Sequence, residues 1–331
     1  MKQTILSGIK PTGPIHLGNL FGAVLNWVKL QDDYNCYYMI ADLHALTGSP
    51  ETYSQIDSYR RDAIINLITF GIDPEKSVLF IQSEIPEHCR LHLLLSMLTP
   101  ISWLERNPTY KEQILSLNNK DFNNYGFLGY PVLQASDIII YKANRVPVGE
   151  DQLPHLELTR EIVRRFNNFF GDVFPEPEAL LTPSPRIPGL DGRKMSKSFN
   201  NTIEVQDDEK TVEKKVMMFI TDPLKIHKND PGRPEVCNCW ALQKVFATED
   251  EQKNIERDCK SGILGCVECK RSLAKRINSF LEPYRNKRIE LLKKPDWIND
   301  VINEGNRKAR EKASSVLEEA ISAMGIGYHG I

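Results

Sequence analysis

Residues Thr4–Asp42, TILSGIKPTGPIHLGNLFGAVLNWVKLQDDYNCYYMIAD, read as strand, turn, helix and strand. The apolar start TILSG runs into KPTGP, a turn marked by Pro and Gly. Leu17, Leu20, Phe21, Val24, Leu25 and Val28 then recur at the three-and-four spacing of an amphipathic helix, which puts His16 and Asn19 in its first turn. NCYYMIAD, aromatic and apolar, predicts the next strand. Beyond it, SYRRDAIINLITFG is a helix closed by Gly71 and SVLFIQS another short strand; PVLQASDIIIYKA, VPVGEDQ and LELTREIVRRF continue the pattern. Such alternation implies an α/β fold, a doubly wound parallel sheet of Rossmann-like type. Past Asn201 it stops, and only helices are predicted, through RSLAKRINSFLEPYRNKRIELLKK to AREKASSVLEEAISAM. The expected division is a sheet domain over 1–188 with an inserted helical segment, a mobile loop over 189–202 and a helical domain over 203–331.

At 331 residues the chain exceeds one ordinary core, in keeping with two domains. It is 41% hydrophobic and 26% charged with net charge -2, a balance that announces no nucleic-acid partner. No stretch approaches the ~20 apolar residues of a membrane span, and MKQTILSGIKPTG lacks the apolar core of a signal peptide, so a cytoplasmic protein is expected. Its seven cysteines are then expected to be reduced thiols or metal ligands.

Two stretches suggest phosphate chemistry. In PTGPIHLGN, residues 11–19, Gly13 and Gly18 clear side chains where a ligand approaches backbone, and the following helix turns its positive end to an anion. The spacing is neither GxGxxG nor GxxxxGK, which weighs against hydride transfer and Walker-type hydrolysis. GRKMSKS, residues 192–198, sets three cations and two hydroxyls in a loop without apolar periodicity. Lys194 and Lys197 are suited to close on a polyphosphate and neutralise charge that develops there.

HLGN resembles the first signature of class I aminoacyl-tRNA synthetases, and KMSKS at 194–198 is similar to the second in every residue. From SGIKPTGPIHLGN through YPVLQASDI and VPVGEDQ, the chain resembles the bacterial tryptophanyl-tRNA synthetases of that class. The resemblance implies activation of L-tryptophan by Mg2+-ATP and transfer to tRNA(Trp), by a homodimer. It implies catalytic roles for His16, Asn19, Lys194, Lys197 and Lys111. ATP would be bound by Gly8, Lys10, Thr12, His16, Gly18, Asn19, Asp151, Lys194, Met195, Ser196 and Lys197. Tryptophan would meet Leu6, Gly8, His44, Tyr130, Gln134, Asp137 and Gln152. Many relatives carry Gln at Lys10 and Met at Gln134. Tyrosyl enzymes set a Tyr where this chain has Leu6; an apolar Leu6 facing a lone Asp137 suits an indole, whose single N–H needs one acceptor. The alternatives are tyrosyl specificity and a non-catalytic RNA-binding or metal-sensing protein on the same scaffold.

Cys237, Cys259, Cys266 and Cys269 are separated by 21, 6 and 2 residues, with Cys239 as a spare first member. Some bacterial relatives hold a [4Fe–4S] cluster at nearly this spacing; Zn2+ and unmetallated thiols are the alternatives. Between Arg257 and Lys294 there are eleven Lys or Arg against four Asp or Glu, a local basic face suited to a phosphate backbone. The helical domain is therefore expected to dock the anticodon. The helix after Ile85 and the insert around 104–127 are the expected dimer surface.

Overall fold

The computed structural model describes residues 2–48, 50–107, 110–111, 124–181 and 187–327. Five parallel strands, β1 (Thr4–Ile9), β2 (Asn35–Ile40), β3 (Ser77–Ile81), β4 (Arg145–Val148) and β5 (Glu178–Leu181), lie in the order β3-β2-β1-β4-β5. The order reverses at β1, the topology of a doubly wound sheet, and places the loops after β1 and β4 at the switch point where ligands bind. β5 has the sequence EALL, with no β-branched or aromatic residue, so the alternation of strand signals does not reveal it.

In chain order the helices are α1 (Leu17–Asn19), α2 (Leu25–Leu30), α3 (Asp42–Ala45), α4 (Ile56–Phe70), α5 (Glu87–Ser96), α6 (Ile101–Glu105), α7 (Tyr125–Ile139) and α8 (Leu153–Phe170). They continue with α9 (Glu209–Met217), α10 (Asn238–Phe246), α11 (Glu249–Lys260), α12 (Cys266–Leu292) and α13 (Pro295–Ala323). A π-helical turn, Leu20–Val24, joins α1 to α2. Gly71 ends α4 at φ 113°, a left-handed conformation open to glycine. Among the described residues no helix is long and apolar enough to cross a membrane.

By contacts the chain forms two units, each discontinuous. The sheet unit holds Met1–Thr12, Trp27–Thr182 and Lys294–Ile331; the helical unit holds Gly13–Asn26 and Pro183–Lys293. The final helix, which chain order groups with the helical half, thus belongs to the sheet unit. Its Ala309, Ala313, Val316, Leu317 and Ala320 share one core with Phe80, Ile139 and Phe166. Close approach forces glycine at 305, where a Cβ would stand 1.9 Å from the Leu79 carbonyl oxygen. In the helical unit the stretch 13–26 is anchored by Phe21, whose ring packs on Phe246 and Phe280 at 5.3 and 5.4 Å.

Candidate active site

In the helical unit, the two phosphate motifs meet. His16 caps α1: its Nδ1 accepts from the Asn19 N–H and the Asn19 side-chain oxygen accepts from the His16 N–H, both at 3.3 Å. The stretch is sewn to the chain after KMSKS by Leu17 N to Ile203 O and Val205 N to Ile15 O, each 2.9 Å. Lys197 Nζ donates to the Gly13 carbonyl at 2.6 Å, across 184 positions. Gly13 sits at φ 143° with the Lys197 stem 3.0 Å from where a Cβ would be. At Gly18 a Cβ would stand 2.9 Å from the His16 ring and 3.3 Å from buried Met195. Both glycines thus clear space, here for side chains of the site itself. Burial pushes the His16 imidazole down to about 4, and the charges of Lys197 and Lys194 add to the effect, so His16 is neutral beside two cations.

The loop that carries KMSKS closes on itself through backbone hydrogen bonds. Gly189 N reaches Arg193 O at 2.7 Å and Met195 N reaches Ile187 O at 3.2 Å. Asn201, nearly wholly buried, accepts from the Ser196 N–H and donates to Asp191 and to the Lys194 carbonyl, at 2.8, 2.7 and 3.3 Å. Asn201 is the organising residue that the sequence reading passed over. Its only signal is a polar residue in place of an apolar one just where the loop rejoins the core.

In the sheet unit Asp137 lies on α7 and is 1% exposed. It is not alone. Oδ2 accepts from His44 Nε2 at 2.7 Å, Oδ1 from His88 Nδ1 at 2.5 Å, and Gln82 Nε2 reaches both at 2.9 and 3.0 Å. Burial works against the anion, but the bonds and charges of His44 and His88 hold the carboxyl well below the usual range. His88 Nε2 lies 2.7 Å from the Tyr141 hydroxyl. Neither Gln82 nor His88 was singled out from sequence. Gln82 had a signal, being the first residue past the carboxyl end of β3, where parallel-sheet ligand sites form; His88 had none in EHCRLHLLL.

Tyr130, about two turns back along α7, has its hydroxyl 3.1 Å from His155 Nε2, and Asn107 holds His155 Nδ1 at 3.0 Å. Burial pushes His155 down to about 4 and Tyr130 up to about 12, so both are neutral. Lys10 Nζ lies 5.6 Å from the Tyr130 ring centre, with burial lowering the Lys10 ammonium below its ordinary value. The His44 and Tyr130 rings meet edge to face at 6.4 Å. Leu6 is buried, and Gln134 and Gln152 are half-buried. Gly8 is required by the sheet, since a Cβ there would stand 2.9 Å from the Met39 carbonyl oxygen. Asp151 is exposed and takes the Gln152 amide at 3.3 Å. Thr12 and Lys111 are exposed. Most of the insert expected at the dimer surface, 108–109 and 112–123, lies outside the described residues.

Of the cysteines, Cys239 and Cys269 face each other at 3.7 Å, with Cys239 wholly buried. The shared proton pushes Cys239 up and Cys269 down, the latter to about 7 with help from Gln243, Arg276 and Lys270. Cys237, Cys259 and Cys266 are half-buried nearby, each within electrostatic reach of Cys269 or Cys259. Among the described residues, no group of three or more His, Cys, Asp or Glu side chains is placed to hold a metal ion.

The family model of class I tRNA synthetases (W and Y) matches residues 1–282. A tryptophan-tRNA ligase of Thermotoga maritima is 49% identical over 98% of this chain and 99% of its own. That of Aquifex aeolicus is 45% identical over 97% of this chain and 99% of its own. Among solved structures, a tryptophanyl-tRNA synthetase from Campylobacter jejuni complexed with ADP and tryptophan superposes with TM-score 0.88 at 34% identity, over 97% and 99% of the two chains.

The neutral state of His16 has a pH signature. An imidazole whose value falls from 6.5 unfolded to about 4 folded binds its proton more readily in the unfolded chain. Stability is therefore full above pH 6.5 and declines as pH falls from 6.5 to about 4, by at most ~3 kcal/mol for this group. Urea unfolding of the full chain across that range should show the decline, and His16→Gln should flatten it, leaving the share of His155. Parallel pH profiles for the two proteins would contradict the burial assigned to His16.

Proposed function

This chain belongs to the class I tRNA synthetases of the tryptophan and tyrosine group, and we propose that it activates L-tryptophan with ATP and charges tRNA(Trp). The observation that carries the reading is the meeting of Lys197 with the Gly13 turn beside His16 in a chain similar over nearly its full length to tryptophan-tRNA ligases. In the first step a tryptophan carboxylate oxygen attacks the α-phosphorus of ATP, the bond to the bridging oxygen breaks, and pyrophosphate leaves with its electron pair. In the second a hydroxyl of the tRNA's terminal ribose attacks the acyl carbon and AMP leaves. The substrate brings its own nucleophile, so the protein's task is positioning and charge stabilisation.

The roles follow from chemistry. Lys194 and Lys197 meet the charge that builds on the leaving pyrophosphate, together with ATP's own Mg2+, with Lys111 as a further cation. His16 and Asn19, locked to each other, hold the nucleotide; Gly18 and Met195 give it a close floor, and Thr12, Ser196 and Asp151 supply polar contacts. Asp137, a carboxylate fixed by three donors, shares Oδ2 with the indole N–H, against apolar Leu6 and beside His44. Tyr130, Gln134 and Gln152 accept from the substrate ammonium. A buried phenol hydroxyl, both donor and acceptor, would lack one partner against Leu6, which favours tryptophan over tyrosine.

The same reading includes work in the cytoplasm as a homodimer. The dimer surface is the apolar ridge of Leu93, Met97 and Ile101, which are 54%, 72% and 62% exposed. The basic stretch 257–294 docks the anticodon. A [4Fe–4S] centre, or Zn2+ in its place, would be held by Cys259, Cys266 and Cys269 with Cys237 or Cys239. Burial of Cys239 and its 3.7 Å approach to Cys269 favour Cys239 as the first ligand. Such a centre would brace the helical unit and take no part in the chemistry.

Two measurements test this. Tryptophan-dependent ATP-pyrophosphate exchange should fall by ~10²–10³ in kcat for Lys197→Ala, the scale of losing one preorganised charge at a transition state. Exchange at wild-type rate would remove Lys197 from the reaction. Protein purified without air should absorb broadly near 400 nm and carry iron and sulfide, and Cys269→Ser should lose both; a colourless protein with zinc overturns the cluster, and one with neither overturns the centre.

A further inference from the structure

One charge of the sheet unit has no task in the reaction described above. Lys10 is the first residue past the carboxyl end of β1, where the strand order reverses and ligands gather. Its backbone is fixed on both sides: the Ala41 N–H donates to the Ile9 carbonyl and the Thr12 N–H to the Lys10 carbonyl, each at 2.9 Å. The residue is exposed, yet its ammonium stands deep enough among protein atoms for burial to lower it. Lys10 therefore lines an open recess and not an outer surface.

A cation so placed ordinarily has a carboxylate beside it. Among the described residues none pairs with Lys10, and burial is the one influence on it. The groups beside it, Tyr130 and His155, are both neutral. Nζ lies 5.6 Å from the Tyr130 ring centre, and an aromatic face attracts an ammonium without neutralising it. His155 feels the Lys10 charge but has both nitrogens engaged, Nδ1 with the Asn107 amide at 3.0 Å and Nε2 with the Tyr130 hydroxyl at 3.1 Å.

The missing anion is one that the substrate carries. Tyr130 meets His44 edge to face at 6.4 Å, and His44 Nε2 binds Asp137, the acceptor proposed for the indole N–H. Tyr130 is thus flanked by the Asp137–His44 pair and by Lys10. The attack also calls for a cation at this end, because a carboxylate has to approach a polyphosphate of its own sign.

We propose that Lys10 receives the carboxylate of the amino-acid substrate, its ammonium pairing with the oxygen that does not attack phosphorus, and that the same charge rejects amines that lack a carboxylate. The inference rests on the tryptophan site assigned above and adds a specificity-determining residue to it.

Tryptophan and tryptamine, alike but for the carboxylate, are the probes, each titrated by calorimetry into the full-length protein without ATP. Lys10→Gln should weaken tryptophan and tighten tryptamine, shrinking the ratio of their Kd values by ~tenfold or more, the scale of losing a hydrogen bond to a charged group. Lys10→Arg, which keeps the charge, should preserve the ratio. An unchanged ratio in Lys10→Gln overturns the proposal, and so does a fall in ATP affinity with the ratio preserved, which assigns Lys10 to the nucleotide instead. Should Lys10→Gln not fold, Lys10→Met removes the same charge and is read by the same ratio; equal binding of the two probes by the wild type overturns the proposal with no variant at all. A wild type that binds no tryptophan removes the proposed activity and this inference with it, whereas tryptophan binding with an unchanged ratio removes Lys10 alone.

Discussion

A carboxylate taken out of water has to be met by donors, and Asp137 is the place where this chain accepts that demand. Removing one partner from a buried ionic cluster typically costs 3–5 kcal/mol, because the charge left behind is uncompensated. The donors come from three elements: His44 on α3 after β2, Gln82 after β3, and His88 on α5. Gln82 also accepts from the N–H groups of Leu43 and His44, and Asp42 from the N–H and hydroxyl of Ser83. The carboxyl ends of β2 and β3 are thereby tied into one polar crest. That is the edge of a parallel sheet at which ligands gather, so the network fixing the fold also pre-sets the charge a substrate meets.

The helical unit solves a different problem, that of placing cations without letting them scatter. Lysine side chains lose much freedom when fixed, and isolated surface lysines are rarely ordered. Here the backbone around Lys194 and Lys197 is closed by its own hydrogen bonds and by Asn201, and Lys197 is drawn to the Gly13 carbonyl. His16 remains neutral next to them because burial and their charge both oppose its proton. A neutral imidazole and two ammonium groups can share one anion-binding turn, where three cations would repel.

Much of the architecture was legible in the residues. Period-four apolar positions marked α2 and α4, and aromatic and apolar runs marked β2 and β3, because those elements are buried on faces their sequence must match. EALL was not legible as β5, since its strand conformation is imposed by pairing with β4. The final helix reads as a helix, but its alanines do not say which core they enter; Gly305 against Leu79 does, and only in three dimensions. The motifs flagged the phosphate turn and KMSKS, whereas the bonds that order them join residues far apart in the chain, Lys197 to Gly13 and Val205 to Ile15 among them. Asp137 and His44 were recognisable as substrate-site candidates, while Gln82 and His88 were not, because a histidine on a helix carries no mark of what it faces. Among the thiols, spacing put Cys237 first with Cys239 as a spare, and carried no mark that Cys239 is the wholly buried one.

The account rests on a tryptophan-specific adenylate formed where the Asp137 carboxylate, its donors His44, Gln82 and His88 already engaged with it, receives an indole N–H. Its most direct test is the wild-type rate of ATP-pyrophosphate exchange with tryptophan and with tyrosine as the only amino acid. Exchange should require tryptophan and exceed that with tyrosine by ~10³ or more in kcat/KM, as expected where a hydrogen-bonding site confronts an analogue it cannot satisfy. Equal exchange with both, or exchange with tyrosine alone, would contradict it.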